Sequence, residues 1–451
     1  METLEKRPPL FTNRKLLNLT IPIALNSLMA ILMGAADSIM VSAAGATAVS
    51  AVSLVDSVNN VFTTAFDAIP IGGAVVTSQY IGAKQFDKAR QSVRQILYAG
   101  FTIAFLCMAL LLCLRKQVLS WIYGSIEKAV FDQAVTYFTI TLLSFPFLVI
   151  GCTATATLRA MAKNRQAVTI TITVNLLNIV GNAILVYGLK MGVAGAAIST
   201  TFGRIVWCVW GLIALRSKKL PFFIDKLLHI RLNWDIMKRV LRVGVSNGFE
   251  NALFYIGRLL ISSLIASLGT IYIAAYSVSF TLNNFGWVLV GAFATTSMTV
   301  VGQCIGAGEK EQARQNAKKL LLWAAITTYV TFTLVLIFRN PLVKMFQFTP
   351  QELEVAAYYT GVAAVLTMCS FYFMSFTPVY IFRAAGDIRY PFILAVTTMF
   401  VFRVGLSYLL CKVFHMGLLG VFLGMFADWL CRFVLNTIRF RSGKWLDKKL
   451  I

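Results

Sequence analysis

The sequence predicts an all-α polytopic membrane protein of twelve transmembrane helices in two six-helix halves. Three observations carry this. Of 451 residues, 58% are hydrophobic and only 13% charged, against about half and about a quarter in soluble domains. The apolar residues come in runs as long as the ~20 that a spanning helix needs. The phrase QYIGAKQFDKARQSV at 79–93 returns as QCIGAGEKEQARQNA at 303–317, an offset of 224, close to half the chain. Such an offset marks an internal duplication.

The first half gives spans at 16–41, 47–77, 93–114, 133–158, 167–189 and 191–215. The first follows a polar, basic start, is long enough to act as an uncleaved anchor, and contains Pro22 and Asp37. The second contains Asp67 and Pro70, the third is nearly all oil, and the fifth holds Asn175, Asn178 and Asn182. The second half gives 240–265, 270–302, 317–338, 355–383, 391–411 and 416–437. The duplication extends through the later spans. TLRAMAKNRQ (157–166) sits on IFRAAGDIRY (381–390), and MGVAG (191–195) answers MGLLG (416–420) after a one-residue slip. The expected organisation is a bundle over 1–215, a cytoplasmic linker over 216–239 and a second bundle over 240–451. With an even number of spans per half, the copies have the same orientation, and a substrate path would lie between them. The twin phrase is expected as the cytoplasmic loop after each half's second span. The linker reads either as a basic, aromatic helix on the inner leaflet or as a plain connection.

The net charge of +23 does not indicate nucleic acid, because Lys and Arg lie in short connections. They alternate along the chain. Lys84, Lys88, Arg90 and Arg94 lie on one side, with Lys310, Arg314, Lys318 and Lys319, while the opposite connections near 42–50 and 265–271 carry no basic residue. The asymmetry places both termini in the cytoplasm. The eight cysteines include no CxxC pair, and His229 and His415 lie in connections, which argues against a disulfide framework or a metal centre. No nucleophile–base pair, acid-rich metal motif or Gly-rich nucleotide loop with Lys is present, so neither an enzyme nor direct ATP drive is expected.

Charges at bilayer depth are costly and mark candidate sites. Asp428 and Arg432 are four apart and can satisfy each other, with Arg403 as a further candidate partner; Arg204 reads as a packing charge. Asp67 could serve backbone groups freed at Pro70. Asp37 and Glu250 differ, since no opposite charge lies within a turn of either. A carboxylate without a compensating partner can take up a proton reversibly. Asn175, Asn178 and Asn182 share one helix face, and Thr200 lies on the next helix, giving either interhelical glue or a polar pocket beside Asp37. Arg258 lies in the seventh span, and Asn283 lies in LNNFGW (282–287), which with FYFM (371–374) supplies aromatic and methionine cleft candidates.

ADSIMVSAAGATAVSAVSL in the first two spans, the paired Q-x-IGA…AR phrases, NLLNIVGNAILVYG…GVAGAAISTTFGR, LRAM and FRAAGD together resemble the multidrug and toxic compound extrusion (MATE) transporters over nearly the full length. The resemblance implies two bundles around a central V-shaped cleft, and export of cationic or amphipathic compounds against inward H⁺ or Na⁺. It implies that Asp37 is the coupling acid. Asn178, Asn182 and Thr200 would complete an amino-half cation site, where some members have Asp in place of Asn182. Glu250 matches a carboxylate that one branch uses for sodium, but the tenth-span acid of that branch is missing from CSFYFMSFTPVY (369–380). Protons are therefore expected as the main driver, with sodium auxiliary at Asp37, Asn178, Asn182 and Thr200. No cofactor is expected. The expected partners are the bilayer and small organic cations or amphiphiles, for a monomer in a bacterial inner membrane. The alternative is a flippase for lipid-linked or amphipathic precursors from the same superfamily.

Overall fold

A computed structural model describes residues 8–124, 127–224, 232–346, 349–448 and 450–451. The described residues are helical almost throughout. In the first half α1 is Asn13–Ser42, α2 Ala46–Gly82, α3 Phe86–Tyr123, α4 Lys128–Leu142, α5 Phe145–Ala160, α6 Asn164–Asn182 and α7 Gly192–Leu215. In the second, α8 is Trp234–Ala266, α9 Thr270–Gly306, α10 Lys310–Val343, α11 Pro350–Cys369, α12 Tyr372–Ala385, α13 Arg389–Thr398, α14 Ser407–Lys412 and α15 Gly417–Arg441. Ten helical stretches are long and apolar enough to cross a membrane, and two bent pairs bring the total to twelve if each counts as one span.

The bent pairs refine the expected fourth and tenth spans. The α4/α5 pair turns by 48° and the α11/α12 pair by 55°. At the first break Pro146 opens α5, where a missing N–H costs no helix bond. At the second, Phe371 takes a left-handed conformation with φ 51°. Two π-helical turns, Ala183–Gly188 after α6 and Met399–Leu406 after α13, occur in the fifth and eleventh spans. Pro22 and Pro70 stay inside continuous helices.

The duplication is repeated in the turns. Lys84 and Gly308, Ala162 and Gly386, and Gly45 and Gly269 all have positive φ and lie 224 apart. After the one-residue slip, Lys190 pairs with His415, and Gly192 with Gly417. The turn after α2 bonds Lys84 N–H to the Ile81 carbonyl at 3.0 Å and Gln85 N–H to that of Tyr80 at 2.9 Å. The turn after α9 repeats this from Gly308 to Ile305 and from Glu309 to Cys304, at 3.0 and 2.9 Å. These are Schellman closures, which satisfy the last carbonyls of a helix.

The twin phrase is therefore mostly helix, with three residues between helices in each copy. Hydropathy places the spans too short here because α3 and α10 begin with an amphipathic turn or two beyond the oily stretch. Likewise α8 starts at Trp234, within the expected linker; 216–224 form turns and bends rather than helix, and 225–231, with His229, lie outside the described residues. Lys6 and Arg7 of the basic start also lie outside them.

By contact the chain falls into two units. One runs to Ala24 and resumes at Phe249; the other is Leu25–Gly248. The divisions fall inside α1 and α8 and are again 224 apart. The twin phrase supplies part of the reason. In the Leu25–Gly248 unit, Asn233 donates to Gln91 at 3.3 Å and Arg239 to the Tyr80 hydroxyl at 3.1 Å. In the other unit, Gln312 accepts from the Leu10 N–H at 2.9 Å, and Lys319, two residues past the phrase, donates to Asn13 at 3.0 Å. Each copy thus grips the entry of the other half's first helix. There Lys310 also donates to Asp447 at 2.7 Å, which holds that exposed carboxyl below its usual range.

Each unit has its own core. In Leu25–Gly248, Phe66 meets Phe145 edge-on at 5.2 Å, among Val55, Phe138 and Leu142. In the other unit, Tyr359 stacks on Phe422 at 5.6 Å beside Trp429 and Met425. Gly72 lets α2 and α8 touch: a Cβ there would sit 2.5 Å from the backbone nitrogen of Gly244. Small residues at such crossings allow van der Waals packing, which in lipid replaces much of the hydrophobic drive.

Candidate functional site

A cavity of about 150 Å³ opens within the Leu25–Gly248 unit. Helical spacing builds its walls. Gly34, Asp37 and Val41 recur on one face of α1, and Val49, Val52, Ser53 and Asp56 on one face of α2. Tyr137 comes from α4, Asn182 from the end of α6, and Ala196 and Thr200 from α7. Asn182 immediately precedes the π-helical turn, a distortion common at functional sites.

The half-buried Asp37 carboxylate is held by neutral donors. The Asn182 side-chain amide donates to its Oδ1. With the Asn178 amide oriented to satisfy both of its ends, its nitrogen donates to both Asp37 oxygens at 3.1 and 3.3 Å, and its oxygen accepts from the Thr200 N–H at 3.2 Å. Among the described residues no Lys or Arg forms an ion pair with Asp37. The Ser199 hydroxyl donates to the Asn178 backbone carbonyl at 2.8 Å, tying α7 to α6. Asp37, Asn178, Asn182 and Thr200 thus come together, whereas Asn175, half-buried one turn earlier, is not part of the cavity lining.

Asp56 and Tyr137 are functional candidates of the cavity that lie outside the sequence expectations. Asp56 faces Asp37's cavity and accepts from the Tyr137 hydroxyl at 3.2 Å. The signal for Asp56 was available, since it is an acid inside the second apolar run; Tyr137 carries no such mark. Asp67, on the same helix, lies outside this cavity and is exposed on its unit. Arg204 donates to Ser144 at the α4/α5 break at 2.7 Å.

The second unit handles its charges differently. Glu250 is 8% exposed and Arg383 6%, and they form an ion pair. Glu250 lacks a partner along its own helix but receives one from α12. Asp428, fully buried, contacts Arg403 at 2.9 Å and Arg432 at 2.7 Å. Arg432 also donates to the Ala395 carbonyl at 2.9 Å. Arg258 is exposed on α8 with its guanidinium 4.5 Å from the Phe280 ring centre. Asn283 is fully buried and donates to the Ser279 carbonyl at 2.8 Å, a packing role. Of the aromatic candidates, Phe371 stacks on Phe433 at 4.5 Å, while Tyr372 packs against Trp429 at 5.3 Å. Among the described residues there is no group of three or more His, Cys, Asp or Glu that could hold a metal ion.

The sequence profile of the MatE family matches residues 22–184 and 248–409, once in each half. The chain is 25% identical to the "Uncharacterized transporter YisQ" of Bacillus subtilis, over 96% of this chain and 95% of that one. It is also 25% identical to the "Probable multidrug resistance protein NorM" of Thermotoga maritima, over 97% and 94%. A solved structure of MATE in the bent conformation superposes with a TM-score of 0.88 at 20% identity, covering 96% of each chain. A MOP superfamily transporter from Pyrococcus furiosus gives the same TM-score and identity over 97% of each. Two profile matches over most of the chain, and a shared fold along its whole length, make this protein a member of the MATE family of membrane transporters.

Proposed function

We propose that this transporter is a secondary antiporter, exporting cationic or amphipathic organic compounds against inward flow of H⁺ or Na⁺. The observation that carries the reading is Asp37, a carboxylate inside a spanning helix, facing a cavity and held by neutral amides rather than by a cation. Its charge is left for a mobile ion. With the ion bound the site is neutral; without it the site attracts a cation. An ion that binds one conformation more tightly than the other biases the equilibrium between them, and only that difference can drive transport. The substrate class follows relatives named as multidrug resistance and multidrug export proteins. The alternating Lys and Arg support a bacterial inner-membrane orientation with both termini cytoplasmic. Membrane vesicles loaded with a fluorescent organic cation test the reading. Efflux should follow an imposed pH or sodium gradient, and efflux that ignores both gradients would reject antiport.

A flippase for lipid-linked precursors is the second reading, favoured by the exposed Arg258 on a spanning helix. A guanidinium there suits a phosphate. Arg258→Gln should then abolish transport of an anionic lipid-linked substrate and leave organic-cation export intact.

A further inference from the structure

We propose that Asp56 is a second ion-binding carboxylate of the Asp37 cavity, and that it fits the cavity for a sodium ion. The inference rests on the antiport reading. The expectation of protons as the main driver rests on Asp37 as the coupling carboxylate of this half. Two line the cavity, Asp37 from α1 and Asp56 from α2. A second observation points to a ligand. Asn182 is 1% exposed and lines the same cavity; its nitrogen is used by Asp37, while its Oδ1 has no partner. A buried carbonyl oxygen without a donor is costly unless something electropositive reaches it.

The chemistry of the cavity's polar groups favours a hard metal cation. Such ions take oxygen ligands, from carboxylates, carbonyls, hydroxyls and waters. Asp37, Asp56, the Asn182 carbonyl and the Thr200 hydroxyl are all oxygens on one wall system. A proton would engage one carboxyl and, through its O–H, one acceptor, whereas a sodium ion engages all four oxygens. The surrounding charge limits the ion to one positive charge. Tyr137 donates to Asp56 at 3.2 Å, and the Arg204 guanidinium acts on Asp56 electrostatically without an ion pair. Arg204 bonds Ser144 and forms no ion pair with either acid among the described residues. Two carboxylates against one nearby guanidinium leave a single negative charge. The cavity, at about 150 Å³, has room for the ion and a few waters, each of which occupies ~30 Å³ in the liquid.

Sodium binding can be read on the purified full-length transporter without transport. A ligand that binds only the folded state raises the melting temperature with its concentration. Sodium chloride is titrated at fixed pH and ionic strength, with choline chloride as balance. The parental protein should be stabilised by sodium in a saturable way. Asp56→Asn should raise the half-saturating sodium by about tenfold or more, the size of one lost interaction of ~1.4 kcal/mol. Asp56→Glu, which restores the charge, should recover most of the response. If Asp56→Asn does not insert, Asp56→Ser takes its place. Parental sodium affinity in the neutral variant, or a parental protein that does not respond to sodium, would overturn the proposal. A separate arm measures gradient-driven efflux in Asp37→Asn. If that variant exports normally, coupling at Asp37, on which the proposal rests, fails; if it is dead while Asp56→Asn binds sodium normally, only the role of Asp56 fails.

Discussion

Arg383 of α12 forms an ion pair with Glu250 of α8, and both side chains are buried. Glu250 is therefore not a free negative charge, although no residue of its own helix neutralises it. Removing one partner of a buried pair leaves the other uncompensated, at a cost of ~3–5 kcal/mol.

Glu250→Gln should accordingly lower stability by ~3 kcal/mol or more, and reduce export of cations and neutral amphiphiles alike. Glu250→Gln with Arg383→Gln should recover much of the loss. Thermal unfolding in detergent, paired with efflux of one substrate from each class, checks this. A selective loss of cation export at parental stability would assign Glu250 a binding role instead.

The turns give a second expectation. Ala162 has φ 60°, where its counterpart in the other half is Gly386 with φ 96°. Ala162→Gly should stabilise by ~0.5–1 kcal/mol, because relief of left-handed strain of ~1–2 kcal/mol exceeds the ~0.4–1 kcal/mol of added unfolded-state freedom. Gly386→Ala should destabilise by a similar amount. Equal melting temperatures for all three proteins would contradict the strain argument.

Gly72→Ala should cost more than Gly386→Ala. Its new methyl would meet the Gly244 backbone at 2.5 Å, and backbone cannot rotate away. Overpacking of this kind costs ~1–3 kcal/mol. A thermal scan of the variant should show the loss, whereas Gly34→Ala, which meets nothing within 4 Å, sets the comparison for an unobstructed glycine.

Much of the fold is legible in the sequence, because in a bilayer the oily runs and the basic connections carry most of the instruction. The places that were not legible have physical causes. Helix ends such as Phe86–Arg94 are amphipathic, so a hydropathy cut mistakes them for loop. The bend at Ser370–Phe371 depends on a left-handed Phe, which no composition rule anticipates. At the site, Asp37, Asn178, Asn182 and Thr200 are visible as polar residues in oil. Glu250's partner is not, because Arg383 lies 133 positions away and meets it only through packing. Asp56 is legible as an acid within the second apolar run. Tyr137 is not, since nothing in the chain distinguishes it from other tyrosines at helical positions.

The measurement that tests the role of Asp37 most directly is efflux by Asp37→Asn in proteoliposomes, with protein amount and insertion matched to the parent. Asparagine keeps the shape and some of the hydrogen bonds of Asp37 but cannot carry its charge. The variant should insert and unfold near the parental temperature, and export driven by either a proton or a sodium gradient should fall to the rate of empty liposomes. Export at the parental rate under either gradient would show that the ion is coupled elsewhere.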